Sequence, residues 1–174
     1  MELENKLKEI SNNVNELLKF AEAKNAGLIA FNCAVALAMV SLLNGELSQL
    51  WKYLIIYIIG MNIISLFIVM SSLFAQTNPK NFKQKIEKDD NLLFIGTISH
   101  MTPKTYIEKL KEKYNLESTN ENLEIDLARQ LIIISQITAR KFNLFNIALC
   151  FTFAGIFTPL GFLIHHHFFN PNKK

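Results

Sequence analysis

Leu3, Leu7, Ile10, Val14, Leu17 and Ala21 follow one another at spacings of 4, 3, 4, 3 and 4, with Glu and Lys on the remaining faces. This heptad seam over nearly three repeats predicts an amphipathic helix. The seam fits packing within its own chain and an oligomer interface equally well. Nothing breaks the pattern before residue 44, so the same helix should run straight into the apolar stretch that follows. Three windows, 25–45, 53–79 and 142–172, contain no Lys, Arg, Asp or Glu and measure 21, 27 and 31 residues. About 20 predominantly apolar residues cross roughly 30 Å of hydrocarbon, so spans are expected at about 25–44, 53–75 and 143–164. The middle one, "YLIIYIIGMNIISLFIVMSSLFA", is apolar on every face, as a membrane helix is and a helix in a soluble core rarely is. Asn32 and several small alanines in the first span predict a protein-facing helix.

Between the second and third spans the pattern is broken. "QTNPKNFKQKIEKDD" holds Pro79 and no sustained apolar period, which predicts a loop or short helix. Leu92 to Ile95 form a short apolar run that stops at Gly96. Thr102 before Pro103 is an N-cap and first-turn pair, and Tyr106 or Ile107, Leu110 and Tyr114 then mark a short amphipathic helix. "NLESTNEN" at 115–122 is a polar loop. From Leu123 the helical pattern returns, with Leu123, Leu127, Leu131, Ile134 and Thr138 on one stripe and no Gly or Pro before Gly155. A helix over 121–164 would measure roughly 66 Å at 1.5 Å per residue, of which about 30 Å would lie in the membrane. The expected fold is therefore an all-α membrane protein with three transmembrane helices. The first and last extend as long helices into a small cytoplasmic helical bundle. The expected division is 1–24 cytoplasmic amphipathic helix, 25–44 first span, 53–75 second span, 76–141 cytoplasmic helical region, 143–164 third span and 165–174 extracytoplasmic tail.

Charge orients these pieces. Residues 1–24 carry four lysines and residues 76–141 carry eleven Lys and Arg, whereas the connector "NGELSQLWK" carries only Lys52. By the positive-inside rule the N-terminus and 76–141 belong to the cytoplasm and the connector faces out. Lys173 and Lys174 run against that orientation but are outnumbered. Trp51, Tyr53, Phe168 and Phe169 sit where interfacial aromatics belong. About 25 mixed-charge residues precede the first apolar run, which argues against a secretory signal. A bacterial inner membrane fits the single-chain architecture. Half of the residues are hydrophobic and 19% are charged, a modest departure from a soluble domain that the three windows account for. Cys33 and Cys150 both fall inside expected spans, where they read as buried small hydrophobes rather than disulfide or metal partners.

The chain holds no recognisable catalytic set, no His/Glu metal spacing and no Gly-rich phosphate loop, so it is not expected to be an enzyme. Consecutive histidines 165–167 on a helix point in three directions and read as interfacial caps, not as a metal site. His100, beside a helix start, reads as a surface or capping residue. Two groups of residues could hold an anion. "GTISHMTPK" offers Gly96, Thr97, Ser99, Thr102 and Lys104 at a helix N-terminus, where free N–H groups and the dipole favour phosphate; Thr102 could equally do no more than cap the helix. Lys24, Arg140 and Lys141 each lie about one residue before a span and should meet at the cytoplasmic mouth of the bundle. They are either anchors at the membrane surface or ligand contacts. Both lysines open similar phrases, "KNAGLIAFNCA" and "KFNLFNIALC", with Asn32 and Asn146 following inside the spans. Intramembrane amides are costly unless paired, so both asparagines are expected to face the interior.

These motifs occur in a recognisable order. "A-x-A-K-x-A-G-L-x-x-x-N" opens the first span, and "N-L-L-F-I-G-T-I" with a downstream Tyr106 follows the second. "D-L-A-R-Q-L-x-x-x-S-x-I-x-x-x-K-F-x-L" leads into the third. Over roughly residues 15–164 this resembles the transmembrane effectors of Pycsar antiphage systems. The resemblance implies an effector triggered by a cyclic pyrimidine nucleotide, cCMP or cUMP, made by a partner cyclase on infection. It would then disrupt the inner membrane and cause abortive infection, working as a homo-oligomer in the lipid bilayer with no cofactor and no nucleic-acid partner. About 66 cytoplasmic residues are too few for a β-roll nucleotide-binding domain, so any site must be built from helices or shared. The alternative is a constitutive small oligomeric membrane scaffold or channel-like protein with no nucleotide ligand.

Overall fold

Among the described residues, a heptad seam, two charge-free runs and a third leading out of a polar loop fold into three long helices and two short ones. The computed structural model describes residues 2–74 and 91–169. Helix α1 spans Leu3–Leu43, α2 Gln49–Ser71, α3 Ile95–Ser99, α4 Pro103–Tyr114 and α5 Glu121–Phe169. Among the described residues the one β-type pairing is an isolated bridge between Glu2 and Glu117, where Leu3 N–H donates to the Glu117 carbonyl at 3.1 Å. The "QTNPKNFKQKIEKDD" segment expected as a loop or short helix, and the tail lysines Lys173 and Lys174, lie outside the described residues. The described residues form two compact units, one within Met1–Ala23 and Ala75–Phe142, the other within Lys24–Phe74 and Asn143–Lys174.

The first unit has an ordinary apolar core. Leu3, Leu7, Ile10 and Val14 from α1 are buried with Leu92, Ile98, Tyr106, Leu110 and Leu131. The N-terminal seam thus packs within its own chain. Its phase differs from the expected one in one place: Leu17 is 39% exposed while Leu18 is partly covered. On a helix both residues lead to Ala21, so the spacing could not separate them. A similar correction applies to α5, where Leu123 is exposed and the buried stripe is Glu124, Ala128, Leu131, Ile132, Ser135 and Thr138. Leu123 lies in the first turn, where Asn120 is the cap: its Oδ1 accepts from Leu123 N–H at 3.3 Å. Glu124 rather than Leu123 is turned inward. Its carboxylate accepts from the hydroxyl of Ser118 and from the N–H groups of Thr119 at 2.9 Å and Asn120 at 3.4 Å. Burial alone would raise its pKa, but these hydrogen bonds and the nearby Lys111 hold it below its ordinary value.

The second unit is arranged the other way round. Its buried positions include Asn25, Leu28 and Asn32 on α1, Ile55, Asn62, Ser65 and Val69 on α2, and Ala148 and Thr152 on α5. Its outer surface is large and apolar, with Leu37 and Phe67 each 73% exposed and Phe157 62%. An interior in which polar and small residues outnumber large apolar ones, with Leu and Phe on the outside, is the distribution of a helix group solvated by lipid. All three long helices are apolar and long enough to cross a membrane. Together these features make the chain a membrane protein. Gly155 permits close approach of α2 and α5, since a Cβ there would lie 3.0 Å from the Met61 Cβ. Pro159 sits within α5, which continues through it. Cys33 and Cys150 are both exposed, not buried as their position in apolar spans had implied. Each lies on the outer face of a helix whose polar stripe turns inward, and a thiol is apolar enough to face lipid.

Candidate functional site

In the first unit, α3 and α4 bring the "GTISHMTPK" residues to one place. The α3 helix is a single turn whose Ser99 is buried, and the Ser99 hydroxyl donates to the Gly96 carbonyl at 2.8 Å. Gly96 is held close to Phe94, whose ring a Cβ at that position would strike. Thr102 performs the capping role read from the Thr-Pro pair: its Oγ1 accepts from Thr105 N–H at 3.3 Å, with Pro103 in the first turn of α4. Lys104 is exposed beside it. Asn115 ends α4 in the left-handed conformation, with φ 50°, where asparagine is favoured. Tyr106 is fully buried and its hydroxyl donates to the Leu92 carbonyl at 3.0 Å. Burial, reinforced by Tyr114, raises its pKa, so the phenol keeps the proton it donates. This bond joins the "NLLFIGTI" motif to the tyrosine downstream of it.

A residue that sequence reasoning passed over connects this segment to α5. The Gln136 side-chain amide donates to the Ser99 carbonyl at 2.9 Å. Arg140 is four residues further along α5, on the same helix face, and partly buried. The GTISHMTPK segment is therefore tied to α5 one turn before the Arg140–Lys141 pair. Lys141 Nζ lies 3.2 Å from a carboxylate oxygen of Glu22, with the lysine side chain only 13% exposed. Ser135, one residue before Gln136, is buried and its hydroxyl has no hydrogen-bond partner among the described residues. Within this unit the Gln136–Ser99 bond thus ties Ser99 to the turn of α5 before Arg140 and Lys141; Gly96, Thr102 and Lys104 lie along the α3–α4 segment.

Lys24 belongs to the second unit. Its ammonium sits over the Phe145 ring, 4.2 Å from the centroid, a cation–π contact. Asn25 beside it is completely buried, and neither atom of its amide has a partner among the described residues. Of the two intramembrane asparagines singled out by the sequence, Asn32 faces the interior. Its Nδ2 donates to the Ser65 hydroxyl at 2.8 Å and its Oδ1 accepts from Thr152 Oγ1 at 3.0 Å. Asn146 is exposed, contrary to expectation. The inward positions of α5 are Ala148 and Thr152, and two residues back from Ala148 is a rotation of about 200°, nearly the opposite face. The hydroxyls of Ser65 and Thr152 that complete the network were not singled out, because isolated Ser and Thr are commonplace in apolar helices. His165 lies on α5, and the side chains of His166 and His167 fall outside the described residues. Among the described residues no three His, Cys, Asp or Glu side chains are grouped to hold a metal.

Comparison with known proteins gives the family. Residues 6–165 match the model of the PycTM family, the Pycsar effector protein domain. The chain is 34% identical over 140 residues to the Pycsar effector protein RsPycTM of a Rhizobium species, a match covering 75% of this chain and 77% of that protein. No solved structure matches. With a family match that takes in all three long helices and the α3–α4 segment, the chain belongs to the Pycsar effector family.

Proposed function

We propose that this membrane protein is an antiphage effector of the bacterial inner membrane that responds to a cyclic pyrimidine nucleotide, cCMP or cUMP, made by a partner cyclase. On binding it disrupts the membrane and aborts infection. The observation that carries this reading is the family match over residues 6–165. The charge distribution supports a cytoplasmic N-terminus and a cytoplasmic 76–141 region, with spans over 25–44, 53–75 and 143–164.

The nucleotide site is drawn from the first unit. A cyclic phosphate carries one negative charge and needs cations and N–H or O–H donors. Arg140 and Lys141 would supply charge on α5, Lys104 and the α4 N-terminus would add it on the neighbouring segment, and the Gln136–Ser99 bond ties that segment to α5. The described part of 76–141 is largely helical, which favours a pocket made by helices over a β-roll. A ligand can shift an equilibrium only through a difference in affinity for two states. The nucleotide accordingly favours one packing of α3–α4 on α5, and α5 continues from this contact into the membrane span.

The test uses the purified full chain in liposomes loaded with a self-quenched dye. cCMP or cUMP should raise the protein's thermal midpoint and release dye, while cAMP should do neither. Absence of a response to both pyrimidine nucleotides overturns the reading and leaves a constitutive membrane scaffold.

A further inference from the structure

A groove of about 390 Å³ runs along the second unit between α1 and α5. This lies within the range of small-molecule sites, roughly 300–1,000 Å³. Its walls are apolar, contributed by Leu28 and Phe31 on one side and Leu149 and Phe153 on the other, with Lys24 and Phe145 at one end. Phe31 and Phe153 are about half exposed, at 48% and 49%. Gly27 lies along the groove, and a Cβ added to it would meet nothing within 4 Å. The groove thus has a long hydrocarbon-like wall and one fixed cation at the edge of a charge-free stretch.

We propose that this groove is a binding site for one anionic glycerophospholipid, with an acyl chain along Phe31, Leu149 and Phe153 and the phosphate on Lys24. Three observations select a lipid. The groove lies on two helices apolar and long enough to span a membrane, so lipid chains are what it meets. Its cation stands where the charge-free window begins, at headgroup depth, and basic pockets between membrane helices favour anionic headgroups. A second copy of the same unit offers no matching charge. Glu46 is the sole carboxylate within 24–74 and 143–174, and it follows the far end of α1, roughly 30 Å along the helix from Lys24. The cation–π contact with Phe145 holds the ammonium at the groove mouth. The inference stands apart from the nucleotide reading, which draws on the other unit.

The experiment reconstitutes the full chain in nanodiscs of equal parts phosphatidylglycerol and phosphatidylcholine, releases it into mild detergent and counts retained lipids by native mass spectrometry. The wild-type chain should keep one phosphatidylglycerol per protomer in about fivefold preference to phosphatidylcholine, equivalent to about 1 kcal/mol for one lysine near an anionic headgroup. Lys24→Gln should keep a lipid but lose the preference, and Lys24→Arg should restore it. Gly27→Phe, or Gly27→Leu should the larger residue fail to fold, should fill the groove and expel the lipid of either headgroup. Glycerol phosphate in excess should leave the lipid in place, since it lacks the acyl chain. The proposal is overturned by equal retention of both lipids in the wild type, by a preference that survives Lys24→Gln, or by displacement with glycerol phosphate. It is equally overturned if Gly27→Phe dissociates an oligomer and leaves lipid retention unchanged.

Discussion

Thr152 on α5 donates its hydroxyl proton to Asn32 Oδ1 on α1 at 3.0 Å, across 120 residues of sequence. The Asn32 amide in turn donates to Ser65 Oγ on α2 at 2.8 Å, and Ser65 donates to the Ala148 carbonyl at 2.8 Å. Each hydroxyl has one proton and each proton has a partner, so the chain of bonds closes across all three long helices. Hydrogen bonds between membrane helices average about 0.6 kcal/mol and reach about 1.7 kcal/mol. Thr152→Val and Asn32→Ala should each lower the thermal midpoint in detergent. Their double-mutant cycle should return a coupling of about 0.6 kcal/mol or more, because the two side chains share one bond. Additive effects would mean the two residues act separately.

The link between Ser99 and Gln136 makes a different demand. If nucleotide recognition runs through α5, Arg140→Ala should raise the nucleotide concentration for dye release by about tenfold or more. Hydrogen bonds to charged groups are worth about 1.5–3 kcal/mol. Lys141→Ala should do the same without impairing insertion. Because Lys141 also pairs with Glu22, Glu22→Gln separates the two roles. A shifted nucleotide response in Glu22→Gln equal to that of Lys141→Ala would assign Lys141 to the ion pair alone.

Asn25 supports a prediction of opposite sign. Its amide is wholly buried and neither polar atom has a partner among the described residues. An unsatisfied buried polar group costs about 1–3 kcal/mol. Asn25→Leu should therefore stabilise the resting chain, seen as a higher thermal midpoint in detergent. The same variant should respond less readily to nucleotide if the amide finds its partner only in the activated packing.

These residues mark how far the sequence could be read. The long helices were legible because absence of charge over more than 20 residues has few other physical explanations. The Thr102–Pro103 start of α4 was legible because its chemistry is local. Which way a residue faces was legible only where the stripe was unambiguous. Leu17 and Leu18 compete for one seam, and Leu123 lost the inward position to Glu124 because the carboxylate satisfies three donors in the preceding turn. Inside the spans hydrophobicity gives no direction, since lipid and protein interior are equally apolar. Asn146, Cys33 and Cys150 were misplaced for that reason. Ser65, Thr152 and Gln136 went unread because their partners lie 33 or more residues away.

The inward Glu124 makes stability depend on pH. Its carboxyl is held below the ordinary value of 4.5, against the effect of burial, by the Ser118 hydroxyl and the Thr119 and Asn120 N–H groups. In the unfolded chain the group returns to 4.5 and binds a proton at higher pH than the folded chain does. Its contribution is thus fully present above 4.5 and is lost as pH falls from there through the depressed folded value. Glu124→Gln cannot carry the charge, so it should be less stable near neutrality by about 1.5–3 kcal/mol, the worth of hydrogen bonds to an ionised group. Its stability should also fall less steeply than that of the wild type as pH drops below 4.5. Thermal midpoints of the two proteins in the same detergent, taken from about pH 7 to about pH 3, should converge at the acid end. Parallel curves would mean that the carboxylate's charge contributes nothing and that Glu124 acts only by filling space.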